Sequence, residues 1–232
     1  MNYNSEVLKQ INLFEPNEII VSRKLYSEKL RSVPELTFFK VLERMVKDHK
    51  LTRISKGIYC RPKETRFGVI GSREKEIVEY YTGGNNQFGM VIGYKLYNRY
   101  GISTQISKRT ELYSSLIPEN KKVIQNISIN RANIVFSTSV IEAIETFEIL
   151  QNYNKIEDLN HKNLRAYLKH YARHYDDNAA NQVLAHMHYK KKTIAFLEKV
   201  LENYGVDNTL HYYLSKASVY KMPPMEKIYE PA

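Results

Sequence analysis

Cysteine is nearly absent from this chain of 232 residues. Cys60 stands alone, so neither an internal disulfide nor a multi-thiolate metal site can form, which excludes zinc ribbons and disulfide scaffolds and fits a reducing, cytoplasmic compartment. Long apolar runs are missing as well: none approaches the ~18 residues of a membrane-spanning helix. The stretch from Met1 to Asn17 lacks the basic end and apolar run of a signal peptide, so no secretory leader is expected. Catalytic signatures are scarce. There is no glycine-rich phosphate loop of Walker or Rossmann spacing, no nucleophile elbow and no His-Glu-x-x-His. Only five aspartates occur (Asp48, Asp158, Asp176, Asp177 and Asp207), and no Asp-x-Asp pair follows Gly71-Ser72, so a two-metal phosphoryl-transfer centre lacks its carboxylates. No cofactor is called for. No repeat of 20 to 50 residues is present either.

Acids are also in short supply: 35 Lys and Arg face 25 Asp and Glu, a formal charge of +10, which favours a polyanionic partner and nucleic acid before an anionic membrane. Hydrophobic residues make up 43% and charged residues 26%, ordinary globular usage that can build a core. The charge concentrates near the N-terminus. Between Ile19 and Lys63 twelve Lys and Arg stand against four acids. Pro62 and the stretch Lys63 to Thr65 read as a boundary, giving an expected division into 1–64 and 65–232.

In the first part, Val7, Leu8, Ile11 and Leu13 suggest a helix, a second runs from about Arg23 to Leu30, and a third opens at Pro34, a residue suited to a first helical turn. Along the third, Phe38, Phe39, Val41, Leu42, Met45 and Val46 share a broad arc, while Thr37, Lys40, Arg44 and Lys47 line the other side. Leu51 to Ser55 and Ile58 to Arg61 are β-prone runs around Lys56-Gly57, where glycine supplies the positive φ of a tight hairpin. Three helices and a hairpin spell a winged helix-turn-helix. A basic stripe by itself is an ordinary solvated face, but a basic third helix followed at once by a basic hairpin is the arrangement that enters a major groove and grips phosphates. Thr37 and Lys40 are then placed to meet base edges, and Arg44, Lys47, Arg53, Lys56, with Gly57 shaping the turn, and Arg61 to hold phosphates. Ser22, Arg23 and Lys24 at the start of the second helix add backbone contacts.

The second part reads as a larger, helix-rich α+β domain. Helices are expected from Ser72 to Tyr81, Gly89 to Tyr100, Ser139 to Gln151 with a Ser139/Glu142 capping box, Leu164 to Tyr175, Ala179 to Tyr189 and Thr193 to Tyr204. Short strands are expected at Thr104 to Ile106, Glu111 to Ser115 and Val123 to Ile129. Glu142, Glu145 and Glu148 fall on one side of their helix, where capping and solvation account for them. His170 and His174 have a spacing that can present two ligands to one metal, yet a polar and aromatic surface explains them more simply, and no metal site is assigned. Gly89-x-x-x-Gly93 reads as a close-packing feature of a helix. Tyrosine is abundant at 19 residues and suits protein contacts.

The run from Phe39 to Lys50 that leads into Leu51-Thr-Arg-Ile-Ser-Lys-Gly-Ile-Tyr59, then Pro62, Phe67-Gly68 and Gly93-Tyr-Lys-Leu-Tyr-Asn-Arg-Tyr-Gly-Ile-Ser-Thr-Gln105, resembles the AbiEi-like antitoxins of bacterial abortive-infection systems, with Arg53-Ile-x-Lys-Gly-Ile-Tyr59 as the wing signature. That resemblance, strongest from Pro34 to Gln105, implies an N-terminal winged helix-turn-helix that represses its own toxin-antitoxin operon through inverted repeats in double-stranded DNA. It also implies a C-terminal domain that counteracts a nucleotidyltransferase-like toxin, with or without direct contact. Two other readings stay open: a nucleic-acid-processing enzyme delivered by its winged helix, and a solitary transcription regulator.

Overall fold

The computed structural model describes residues 3–65, 68–70, 74–215, 218–225 and 228, with backbone alone at 64, 65 and 68–70. It is a helix-rich α+β protein. Two compact units emerge, Met1–Tyr80 with Val123–Ile127, and Tyr81–Lys122 with Ser128–Ala232. Their junction at Tyr80 lies later than the sequence boundary at residue 64, and Lys63–Thr65, read as part of that boundary, is a strand.

The first unit opens with α1 (Tyr3–Ile11), β1 (Ile20–Val21), α2 (Ser22–Lys29) and α3 (Glu35–Lys47), followed by β2 (Thr52–Ser55) and β3 (Ile58–Cys60). Leu13, expected within the first helix, lies beyond its end and is exposed. Phe38, Val41, Leu42 and Met45 of α3 are buried against Val7 and Ile11 of α1 and Leu25 of α2, and each large side chain so buried contributes about 2 kcal/mol. Tyr26 fixes the α2–α3 turn: its hydroxyl donates to the Val33 carbonyl at 3.0 Å, and its ring lies 5.3 Å from that of Phe38. Pro34 sits just ahead of α3 as its cap residue. His49, with φ +57, ends the helix in the left-handed conformation, and the Lys50 N–H donates back to Met45 O at 2.9 Å.

β1 adds an edge that the sequence reading did not contain. It pairs antiparallel with β3, Ile20 opposite Tyr59 and Val21 opposite Ile58, giving a sheet in the order β1-β3-β2. Two residues are too few for a periodic signal. Beyond it, β4 (Lys63–Thr65) and β5 (Gly68–Ile70) form an antiparallel pair, and α4 (Glu74–Thr82) follows. The expected helix start at Ser72 lies outside the described residues.

Further along the chain come β6 (Gly89–Ile92), α5 (Tyr94–Arg99), β7 (Thr110–Ser114), β8 (Lys121–Ile124) and β9 (Ile127–Arg131), with the sheet ordered β6-β7-β9-β8; of these, Val123–Ile127 falls to the first unit and the rest to the second. Gly89 to Ile92 is therefore strand where helix was expected. A Cβ on Gly89 would sit 2.1 Å from the Tyr113 carbonyl, so glycine here lets two strands approach, a strand role rather than a helical one. The expected strand at 104–106 is irregular chain, and the one at 123–129 is two strands turned at Gln125, whose φ is +53. Helices α6 (Thr138–Asn152), α7 (His161–Arg173), α8 (Asp177–His186) and α9 (Lys191–Asn203) complete the unit, each within a few residues of expectation. The cap of α6 is Ser137, which accepts from the Val140 N–H at 3.4 Å, rather than Ser139. α6 packs against α7, α8, α9 and β6 and is buried continuously from Ala143 to Leu150.

Candidate nucleic-acid interface

The basic residues of the first unit do not all face the same way. On α3, Lys40, Arg44 and Lys47 are exposed and Thr37 is half-buried. At ~100° per residue, the direction opposite the buried Phe38, Val41, Leu42 and Met45 is occupied by Leu36, Lys40, Glu43 and Lys47, with Arg44 and Thr37 on its flank. Leu36 is 78% exposed, and Glu43 is exposed beside it. Neither was singled out by the sequence reading. A stripe defined by charge alone passes over both, whereas one drawn opposite the apolar arc includes them.

The hairpin and the start of α2 come together. Gly57 adopts φ +75, and its carbonyl accepts from the Ser22 N–H at 2.9 Å and the Ser22 hydroxyl at 3.1 Å. This doubly bonded carbonyl sets the exposed Lys56 at the tip of the turn near the exposed Arg23 at the head of α2. Ser22 itself is buried, so its hydroxyl holds the turn and is not a free phosphate ligand. Lys24 faces a groove of about 360 Å³ that it shares with Leu13, Phe14, Glu18 and Glu28, on a different side of α2 from Arg23. Arg53 is exposed on β2.

Arg61 is committed elsewhere. Its Nη1 donates to Phe14 O at 2.6 Å and to Asn12 O at 3.3 Å, while its own carbonyl accepts from the Asn17 N–H at 2.8 Å. It straps the end of β3 to the chain leaving α1. Of the cations singled out from the sequence, Arg23, Lys40, Arg44, Lys47, Arg53 and Lys56 are exposed on α3, the hairpin and the head of α2, none of them in an ion pair among the described residues.

In the second unit the structure overturns the solvated reading of two glutamates. Glu145 and Glu148 are 2% and 5% exposed. Arg99 Nη1 and the Tyr100 hydroxyl donate to Glu145 at 2.7 and 2.6 Å; the Tyr113 and Tyr189 hydroxyls donate to Glu148 at 2.9 and 3.1 Å. Burial pushes both carboxyls above the usual value, opposed at Glu145 by Tyr100 and Arg99 and at Glu148 only by hydroxyl donors. Several tyrosines expected at contacts are instead core residues: Tyr97, Tyr153, Tyr167 and Tyr171 are buried. The rings of His170 and His174 lie 4.4 Å apart, with His174 Nδ1 2.9 Å from the His170 carbonyl. Among the described residues no group of three or more His, Cys, Asp or Glu gathers as a metal site. Cys60 is a buried residue of β3. No helix among the described residues is long and apolar enough to cross a membrane.

No family model matches the chain, and no curated protein does. Among solved structures, the RV2827C protein from Mycobacterium tuberculosis is similar over 89% of this chain and 78% of its own length, at 10% sequence identity and a TM-score of 0.45.

Proposed function

We propose that the protein is a DNA-binding antitoxin and autorepressor whose first unit is a winged helix-turn-helix. The observation that carries this reading is the exposed basic face of α3 together with the Gly57 carbonyl that draws Lys56 of the hairpin to the head of α2. The order helix, strand, helix, helix, strand, strand suits a scaffold in which α3 enters the major groove and the hairpin meets the phosphates beside it. Lys40 reads base edges from the middle of that face; Arg44, Lys47, Arg53, Lys56 and Arg23 grip the backbone. Operator DNA containing inverted repeats and a nucleotidyltransferase-like toxin are the partners, in the cytoplasm. The second unit supplies the antitoxin activity.

The test is one strain with two readouts: a reporter driven by the DNA upstream of the protein's own coding sequence, and growth during expression of the neighbouring toxin. The wild-type chain represses the reporter and restores growth. Changing Lys40, Arg44 and Lys56 together to alanine releases the reporter and still restores growth. Full repression by that variant contradicts the DNA-binding reading, and loss of rescue contradicts the assignment of antitoxin activity to the second unit.

A further inference from the structure

Leu36 is out of place for a residue of its kind. A leucine 78% exposed in the first turn of a helix forgoes most of the stabilisation that its burial would bring, although the same helix buries four other apolar side chains. Its position is the informative part. Leu36, Lys40, Glu43 and Lys47 recur at spacings of four, three and four, so they form a single stripe, the one directed straight away from the core. Glu43 sits in the middle of that stripe as an exposed carboxylate. A carboxylate brought against phosphates is repelled, whereas one brought against base edges meets the amino donors of cytosine and adenine. Leu36, Lys40 and Glu43 therefore suit the floor of the groove and not its walls, and Arg44 on the flank and Lys47 at the end of the helix suit the walls.

Resting on the DNA-binding reading above, we propose that Leu36 reads sequence by packing against the 5-methyl group of a thymine in the major groove. Apolar contact with that methyl is one way in which a protein tells T·A from the other pairs, and the first turn of a recognition helix is the part that reaches base edges. Leu36 offers no hydrogen bond to compete with this contact. It sits one turn before Lys40, whose ammonium is free to address guanine on a neighbouring pair.

The experiment uses the full chain and duplexes enriched by it from a random pool. Each thymine of an enriched duplex is replaced in turn by deoxyuridine, which removes the methyl group alone. The wild-type protein loses about fourfold in affinity at one thymine of each half-site, the value of one buried methyl group. Leu36→Ala, a surface change that leaves the core intact, binds the parent duplex more weakly and no longer distinguishes uracil from thymine at that position. An equal uracil penalty in both proteins, or no sensitive thymine in the wild type, overturns the role of Leu36 while leaving DNA binding standing. Failure to enrich any duplex overturns the DNA-binding reading, and this inference with it.

Discussion

Arg61, Ser22 and Gly57 show how residues of one basic window come to hold the fold while neighbours such as Arg53 face outward. All three lie within the stretch richest in Lys and Arg, and nothing in their sequence context separates Arg61 from Arg53. The difference arises because the residue that follows β3 lies beside the chain leaving α1, where Asn12 and Phe14 have carbonyls without helical partners, and a guanidinium is the group best able to satisfy two at once. Gly57 was legible, since a two-residue hairpin turn needs positive φ and the sequence offers one glycine there. Gly57→Val is expected to cost about 1 kcal/mol or more in backbone strain alone, because an added Cβ meets Ser22 Oγ at an unstrained 3.5 Å. Urea denaturation of the full chain measures that loss, and DNA titration should show weaker binding. An unchanged midpoint would mean that the turn relaxes to another conformation.

Among elements, α6 keeps its expected span but not its expected solvent face. Glu142, Glu145 and Glu148 share one side of the helix, which a two-faced helix would turn to solvent. α6 has no solvent side over Ala143 to Leu150 because α7, α8, α9 and β6 surround it, and enclosure on that scale is a tertiary fact that no local window contains. The same reason covers β6, where a short apolar run fits helix or strand until its partner β7 is known. The buried Glu148 has a thermodynamic signature. Its carboxyl titrates above the ordinary value of 4.5, so between that value and its folded value the native state holds more protons than the unfolded state, and stability falls as pH rises through this window. Glu148→Gln, which keeps the shape and removes the ionisation, should flatten that part of the stability profile measured by denaturation from pH 4.5 to 7. A slope as steep as the wild type's would place the titration on another group.

For the whole molecule, the fold class and the helical second half were legible because long periodic segments carry their own signal. The division of the chain was not. A cut at 64 treats the polypeptide as two consecutive segments, but Val123–Ile127, the turn of the β8–β9 hairpin with its flanks, belongs with the first unit. Residues 65 onward thus contain part of the first unit as well as the second, and the two proposed activities are better separated by substitutions in the full chain than by truncation. DNA binding through α3 and the hairpin is the central claim, and the salt dependence of affinity tests it most directly. Titrating the full chain with an enriched duplex at several salt concentrations, Arg44→Ala combined with Lys56→Ala should lower the log-log slope by roughly 1.8, about 0.9 for each phosphate contact removed, whereas Arg61→Ala, which changes a structural strap, should leave the slope unaltered. A slope and affinity unchanged by the loss of Arg44 and Lys56 would contradict the account.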